Sequence, residues 1–126
     1  VRLWLPLAKG GDRIAQASLA LLYQTGQGVT QDYKKANELL SASAMQGYPF
    51  AFTGLGNSFH EGLGVKKDIK IAMVWFLLAM DYDPSAKAMA NMIGADLPKS
   101  ALRDVQRKVN ECQNSSYQNC SYELIK

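Results

Sequence analysis

The stretches TGQGVTQDYKKA (residues 25–36) and EGLGVKKDIKIAMVW (residues 61–75) decide the fold. They belong to two longer segments, residues 17–47 and 53–83, that align without a gap at an offset of 36 positions. Leu19 falls on Leu55, Tyr23 on Phe59, Gly26 on Gly62, Gly28 on Gly64, Val29 on Val65, Asp32 on Asp68 and Ala36 on Ala72. A period in the range of roughly 20–50 residues is the signature of a repeat architecture. The twice-recurring glycines carry special weight, because each supplies a backbone geometry that other residues strain to adopt.

Inside each copy the apolar residues follow helical spacing: Ala15, Leu19, Leu22 and Tyr23, then Ala36, Leu39 and Leu40. Each repeat therefore reads as a helical hairpin. Gly26 and Gly62 stand where a first helix ends in a left-handed residue, and Gly28 and Gly64 let the following turn fold tightly. Val29 and Val65 then face inward. Asp32 and Asp68 precede the second helix, where a short carboxylate satisfies unpaired amides and the positive helix end. The periodicity predicts helices near residues 1–9, 13–25, 33–45, 49–61, 69–81, 85–94 and 98–112.

The tetratricopeptide pattern is met by Leu55, Gly56, Phe59, Ala72, Phe76 and Pro84, but the aromatic and the following Ala lie 13 residues apart because Gly-x-Gly-Val adds a turn. With TGQGVTQDYKKA and EGLGVKKDIKIAMVW, including Trp75, the chain resembles the Sel1-like repeat family. The resemblance runs from about Leu3 to Met92. It implies an all-α, right-handed superhelix of helical hairpins acting as an adaptor in protein complexes.

The expected layout is a single domain over 1–126. Residues 1–10 read as the second helix of a truncated repeat, as in a fragment of a longer protein, followed by repeats at 11–46 and 47–82. Residues 83–126 hold a partial repeat and a C-terminal cap. In that cap Leu102, Val105, Val109 and Cys112 form one stripe able to cover the last apolar face, as an array end requires.

Composition bounds the chemistry. The 126 residues are 48% apolar and 20% charged, which suits one folded domain. The longest apolar run, Ile71 through Met80, is ten residues, about half of what a membrane-spanning helix needs. A formal charge of +3 is small for a phosphate-backbone binder, so nucleic acid is not an expected partner. One His and two Cys leave little material for nucleophilic triads or metal sites, and no catalytic residue, metal or cofactor is expected. His60 has no nucleophile or orienting partner at a recognisable spacing.

Cys112 and Cys120 are separated by the polar loop QNSSYQN and read as a disulfide, with two unrelated thiols as the alternative. Closing so short a loop contributes about 2.5 kcal/mol on the chain-entropy view. A disulfide implies an oxidising compartment, so a periplasmic or secreted setting is expected. Secreted bacterial members of the family that the chain resembles also end with a helix and a late Cys pair.

One face of each first helix packs and the opposite face stays open. That phase selects Leu21 and Gln24, then Thr53, Asn57 and His60, then Met92, as a concave surface for a peptide or protein partner, with a cell-envelope component among the candidates. Two other functions stay open: carbohydrate or peptidoglycan binding through the polar members of that row, and β-lactam binding or hydrolysis as in cysteine-rich relatives. Those relatives carry a Cys pair in every repeat, and this chain does not. Trp4, Trp75 and Phe76 fall at core phase, and either Phe50 or Phe52 is available as an exposed anchor. Lys66, Lys67 and Lys70 read as a solvated face.

Overall fold

The computed structural model describes residues 11–117, so the expected helix at 1–9, Trp4 and Cys120 lie outside the described residues. Six helices follow in order: α1 (Arg13–Thr25), α2 (Tyr33–Ala44), α3 (Pro49–Glu61), α4 (Ile69–Ala79), α5 (Pro84–Asp96) and α6 (Lys99–Asn114). Among the described residues there is no strand. α1 packs on α2 and α3 on α4 as hairpins, the hairpins stack through α2 and α3, and α4 also carries α5 and α6. The chain is an all-α solenoid of helical hairpins.

The hairpin turns reproduce each other bond for bond. Gly26 (φ 73°) and Gly62 (φ 74°) end α1 and α3 in the left-handed conformation. The amides of Gly26 and Gln27 both donate to the Leu22 carbonyl, and 36 residues later those of Gly62 and Leu63 donate to Ser58. The Asp32 amide donates to the Tyr23 carbonyl at 2.8 Å and the Asp68 amide to Phe59 at 2.9 Å, closing each turn. Both carboxylates then cap the next helix, accepting from Lys35 N at 3.0 Å and Ile71 N at 3.1 Å.

The second glycine of the turn does a different job. A Cβ added to Gly64 would lie 2.8 Å from the carbonyl carbon of Tyr33 and 2.8 Å from its Cβ. The second turn thus presses against the start of α2 in the preceding hairpin. Beside it the Asn37 amide donates to the Leu63 carbonyl at 2.8 Å, and the Ser58 hydroxyl donates to Asn37 Oδ1 at 2.7 Å. Asn37 and Ser58 are both buried, and the pairing satisfies groups whose burial otherwise costs stability. At the next stacking surface Met73 stands 36 residues on from Asn37 and approaches Gly94 through its Cε. One interface between units is polar at its centre and the next is apolar.

The core is continuous from α1 to α6 and is widest around Phe52, Leu55, Trp75 and Phe76, all at most 1% exposed. Phe52 stacks on Trp75 with ring centroids 5.8 Å apart. Among the described residues the Trp75 indole N–H has no hydrogen-bond partner, a cost of about 1–3 kcal/mol that the packing of its rings must offset. Gly56 lets α4 approach, since a Cβ there would sit 2.6 Å from the Phe76 ring.

The expected cap is present and extends further than its apolar stripe. Val105, Val109 and Cys112 are buried, and Leu102 packs against the core. On the other side Asp104 accepts from Lys70 of α4 and from Arg107, each at 2.7 Å. These hydrogen bonds, Lys70 first, hold the Asp104 carboxyl well below the usual carboxylate range. After α6 the chain turns through positive φ at Ser116 and Tyr117. The Tyr117 ring comes to rest against Phe52, centroids 5.2 Å apart, and over Gly47.

Helix ends shift where local bonds decide. α4 stops at Ala79 rather than 81 because the amides of Tyr82 and Asp83 turn back to the Ala79 carbonyl. α5 runs over 84–96 rather than 85–94, started by Pro84 behind the Asp83 cap. α6 begins after Pro98 and reaches Asn114, two residues beyond the expected end.

Two outcomes follow from this packing. Gly62→Ala should lower stability by about 1 kcal/mol, the penalty of a left-handed side chain, and Gly64→Ala by more, since its Cβ meets backbone; paired thermal melts measure the difference, and equal melts would remove the docking role given to Gly64. Asp104→Asn should lower the melting temperature at neutral pH. The depressed carboxyl contributes stability above its unfolded-state pKa and loses it as pH falls through the folded one, so the gap between parent and variant should begin to narrow only below about pH 4 and close at the lower, folded-state pKa.

Candidate functional site

The first helices of the successive hairpins, α1, α3 and α5, carry the side chains singled out by phase. Leu21 (58% exposed) and Met92 (53%) are large apolar groups in solvent, and Asn57 is exposed beside them in the repeat register. Gln24 is partly buried, and its main-chain carbonyl accepts from the Gln31 side chain at 2.7 Å.

Thr53 departs from the expectation of an open surface position. Its hydroxyl donates to Asp83 Oδ2 at 2.8 Å, tying α3 to the N-cap of α5. Burial pushes the Asp83 carboxyl up, but hydrogen bonds from Ser85, Thr53 and the amides of Ser85 and Ala86 outweigh it and leave the group below its ordinary value. Thr53 is thereby committed to the joint between units. Helical phase alone could not show this, because the partner lies 30 residues away.

His60 and Met92 are brought together. They line a groove of about 290 Å³ with Ile69, Ile93, Asp96 and Leu97, at the meeting point of the α3 C-terminus, the α4 N-terminus and the α5 C-terminus. The His60 ring is partly buried and stands edge-on to Phe76, centroids 6.4 Å apart. That contact fixes the imidazole as part of the groove wall. Ile69, Ile93, Asp96 and Leu97 are not distinguished by the helical phase of the first helices; Ile93, Asp96 and Leu97 lie beyond the segments compared at 36 residues, and Leu97 is the residue just after α5.

The rim of the groove has a negative end. Asp96 is exposed and is the last residue of α5, a helix with no basic residue in its last turn. The next residues, Leu97 and Pro98, do not cap it: Leu97 is extended and Pro98 has no amide to donate. The carboxylate thus adds to the negative pole of the helix instead of being compensated there.

Phe50, 56% exposed, is the available anchor of its pair, set edge-on to Tyr48, while Phe52 is core. Cys112 is buried at the end of α6, and its expected partner Cys120 lies outside the described residues. Among the described residues no group of three His, Cys, Asp or Glu side chains could hold a metal, and no helix is long and apolar enough to cross a membrane.

Comparison with known proteins agrees with this architecture. The family model described as Sel1 repeat matches residues 13–48 and 53–81. Protein sel-1 homolog 2 of Rattus norvegicus is 39% identical over 90 residues, and so is that of Mus musculus; the match takes in 68% of this chain and 13% of each relative, so the chain spans a small part of their length. The crystal structure of c5321, a protective antigen of uropathogenic Escherichia coli displaying an SLR fold, superposes with a TM-score of 0.85 at 24% identity, over 96% of this chain and 26% of that one. A Sel1 repeat protein from Oxalobacter formigenes gives a TM-score of 0.67 at 32% identity, over 71% of this chain and 68% of that one. The two matched segments are the two hairpins whose turns repeat bond for bond, and the chain belongs to the Sel1 repeat family.

Proposed function

We propose that the chain is a non-catalytic interaction module that binds a protein or peptide through the surface of α1, α3 and α5. The observation that carries this reading is the groove, with an exposed apolar Met92 at one edge and the edge-on His60 at the other. Its volume of about 290 Å³ falls at the lower limit of the roughly 300–1,000 Å³ of sites that enclose small molecules. It suits one or two side chains of a bound segment. Leu21 and Asn57 extend the contact along the array, in the way repeat proteins use extended surfaces. Family membership supports the same reading, since Sel1 repeats generally mediate protein–protein interaction.

A paired capture experiment tests it. The intact protein and a variant with Leu21→Glu and Met92→Glu are used to recover partners from the native source, with folding checked by circular dichroism. Recovery should fall at least tenfold in the variant. A partner retained equally by both would reject this surface, and turnover of a hydrolysable substrate would reject the non-catalytic reading.

The reading includes a periplasmic or secreted setting, supported by the Cys pair. Mass determination before and after reduction should reveal a Cys112–Cys120 bond in protein isolated from its native compartment. Two thiols in that material would reject both the bond and the setting.

A further inference from the structure

We infer that the groove between α3, α4 and α5 selects a linear segment in which an aliphatic side chain is followed closely by a lysine or arginine. This rests on the interaction role proposed above and specifies the chemistry of the partner. Ile69, Met92, Ile93 and Leu97 provide apolar walls, and Asp96 is the single acidic residue among the lining side chains. An aliphatic side chain entering the groove removes apolar surface of both partners from water, at about 25 cal/mol per Å². A cation at the next positions meets two sources of negative potential at once. One is the Asp96 carboxylate, and the other is the end of α5, whose last turn has no basic residue and is followed by a proline.

Among the described residues no Lys or Arg side chain lines the groove, although Lys99 is exposed three residues beyond Asp96. Lys70 is paired with Asp104 across α4 and α6, and Arg107 and Lys108 of α6 meet the same carboxylate. Lys66 and Lys67 are exposed on the preceding turn and do not line the groove. His60 forms wall through its contact with Phe76. A segment with an acidic residue beside its anchor would face Asp96 and the helix end, and the like charges disfavour it.

The test is selection from a library of random short peptides against the full chain, followed by affinity measurement of the selected peptides on the parent and on Asp96→Asn, Asp96→Lys and Met92→Glu. Asp96 and Met92 are exposed, and thermal melts confirm that each variant folds. The parent should enrich aliphatic residues with a neighbouring Lys or Arg. Asp96→Asn should weaken them roughly tenfold, Asp96→Lys should shift selection toward acidic neighbours, and Met92→Glu should abolish binding. Peptides that depend on Met92 but show no basic enrichment and no response to Asp96 would overturn this inference and leave the interaction role standing. Peptides indifferent to both residues, or no enrichment at all, would overturn both.

Discussion

The close approach of the Gly64 turn to the start of α2 is the constraint on which the stacking depends. Each hairpin can form from local bonds, but two hairpins become an array only if the turn of one can lie directly on the backbone of the other. At Gly64 a side chain would occupy space already taken by Tyr33. The absence of a Cβ brings the Leu63 carbonyl to Asn37 and Ser58 to the same amide. Position of α3 relative to α2 follows, and with it the rows of side chains on the first helices. The groove at the far end of α3 is built on that placement, because His60 and Ile69 flank the same turn.

Much of this was legible in the 36-residue comparison. Both glycine positions, both aspartate caps and the helix start at Arg13 depend on local backbone chemistry, and local chemistry leaves its mark in the residue types. The apolar stripe of α6 was legible for the same reason. What escaped was specific to one interface. Asn37 aligns with Met73 and, in the shortened third unit, Ser58 with Ile93, so the buried hydrogen bond between them breaks the repeat instead of following it. Thr53 has the correct phase for an open surface yet bonds to Asp83, a residue from the next unit.

The site divides along the same line. Leu21, Asn57 and Met92 were found by phase and are exposed, as a surface row should be. The floor and the charged rim come from Ile69, Ile93, Asp96 and Leu97, which meet where the start of α4 lies beside the end of α5, a unit one residue shorter than the repeat period. A shortened third unit was visible as an offset, but its geometric effect belongs to three helix ends at once. Tyr117 escaped for a related reason, since its partners Gly47 and Phe52 are far away along the chain.

That last contact changes how the array comes apart. In an open solenoid each unit touches only its neighbours, and the ends can fray one unit at a time. Tyr117 lies 70 residues from Gly47, with α3, α4, α5 and α6 between them in the sequence, yet meets it in the loop that joins the two hairpins. The ring acts as a clasp between the turn after α6 and the loop between the two hairpins. α6 cannot peel from α4 without lifting this ring off Phe52, and Phe52 in turn stacks on Trp75. Opening of α6 is thereby coupled to exposure of the central aromatic core, and a sequence of small local openings becomes a single cooperative step.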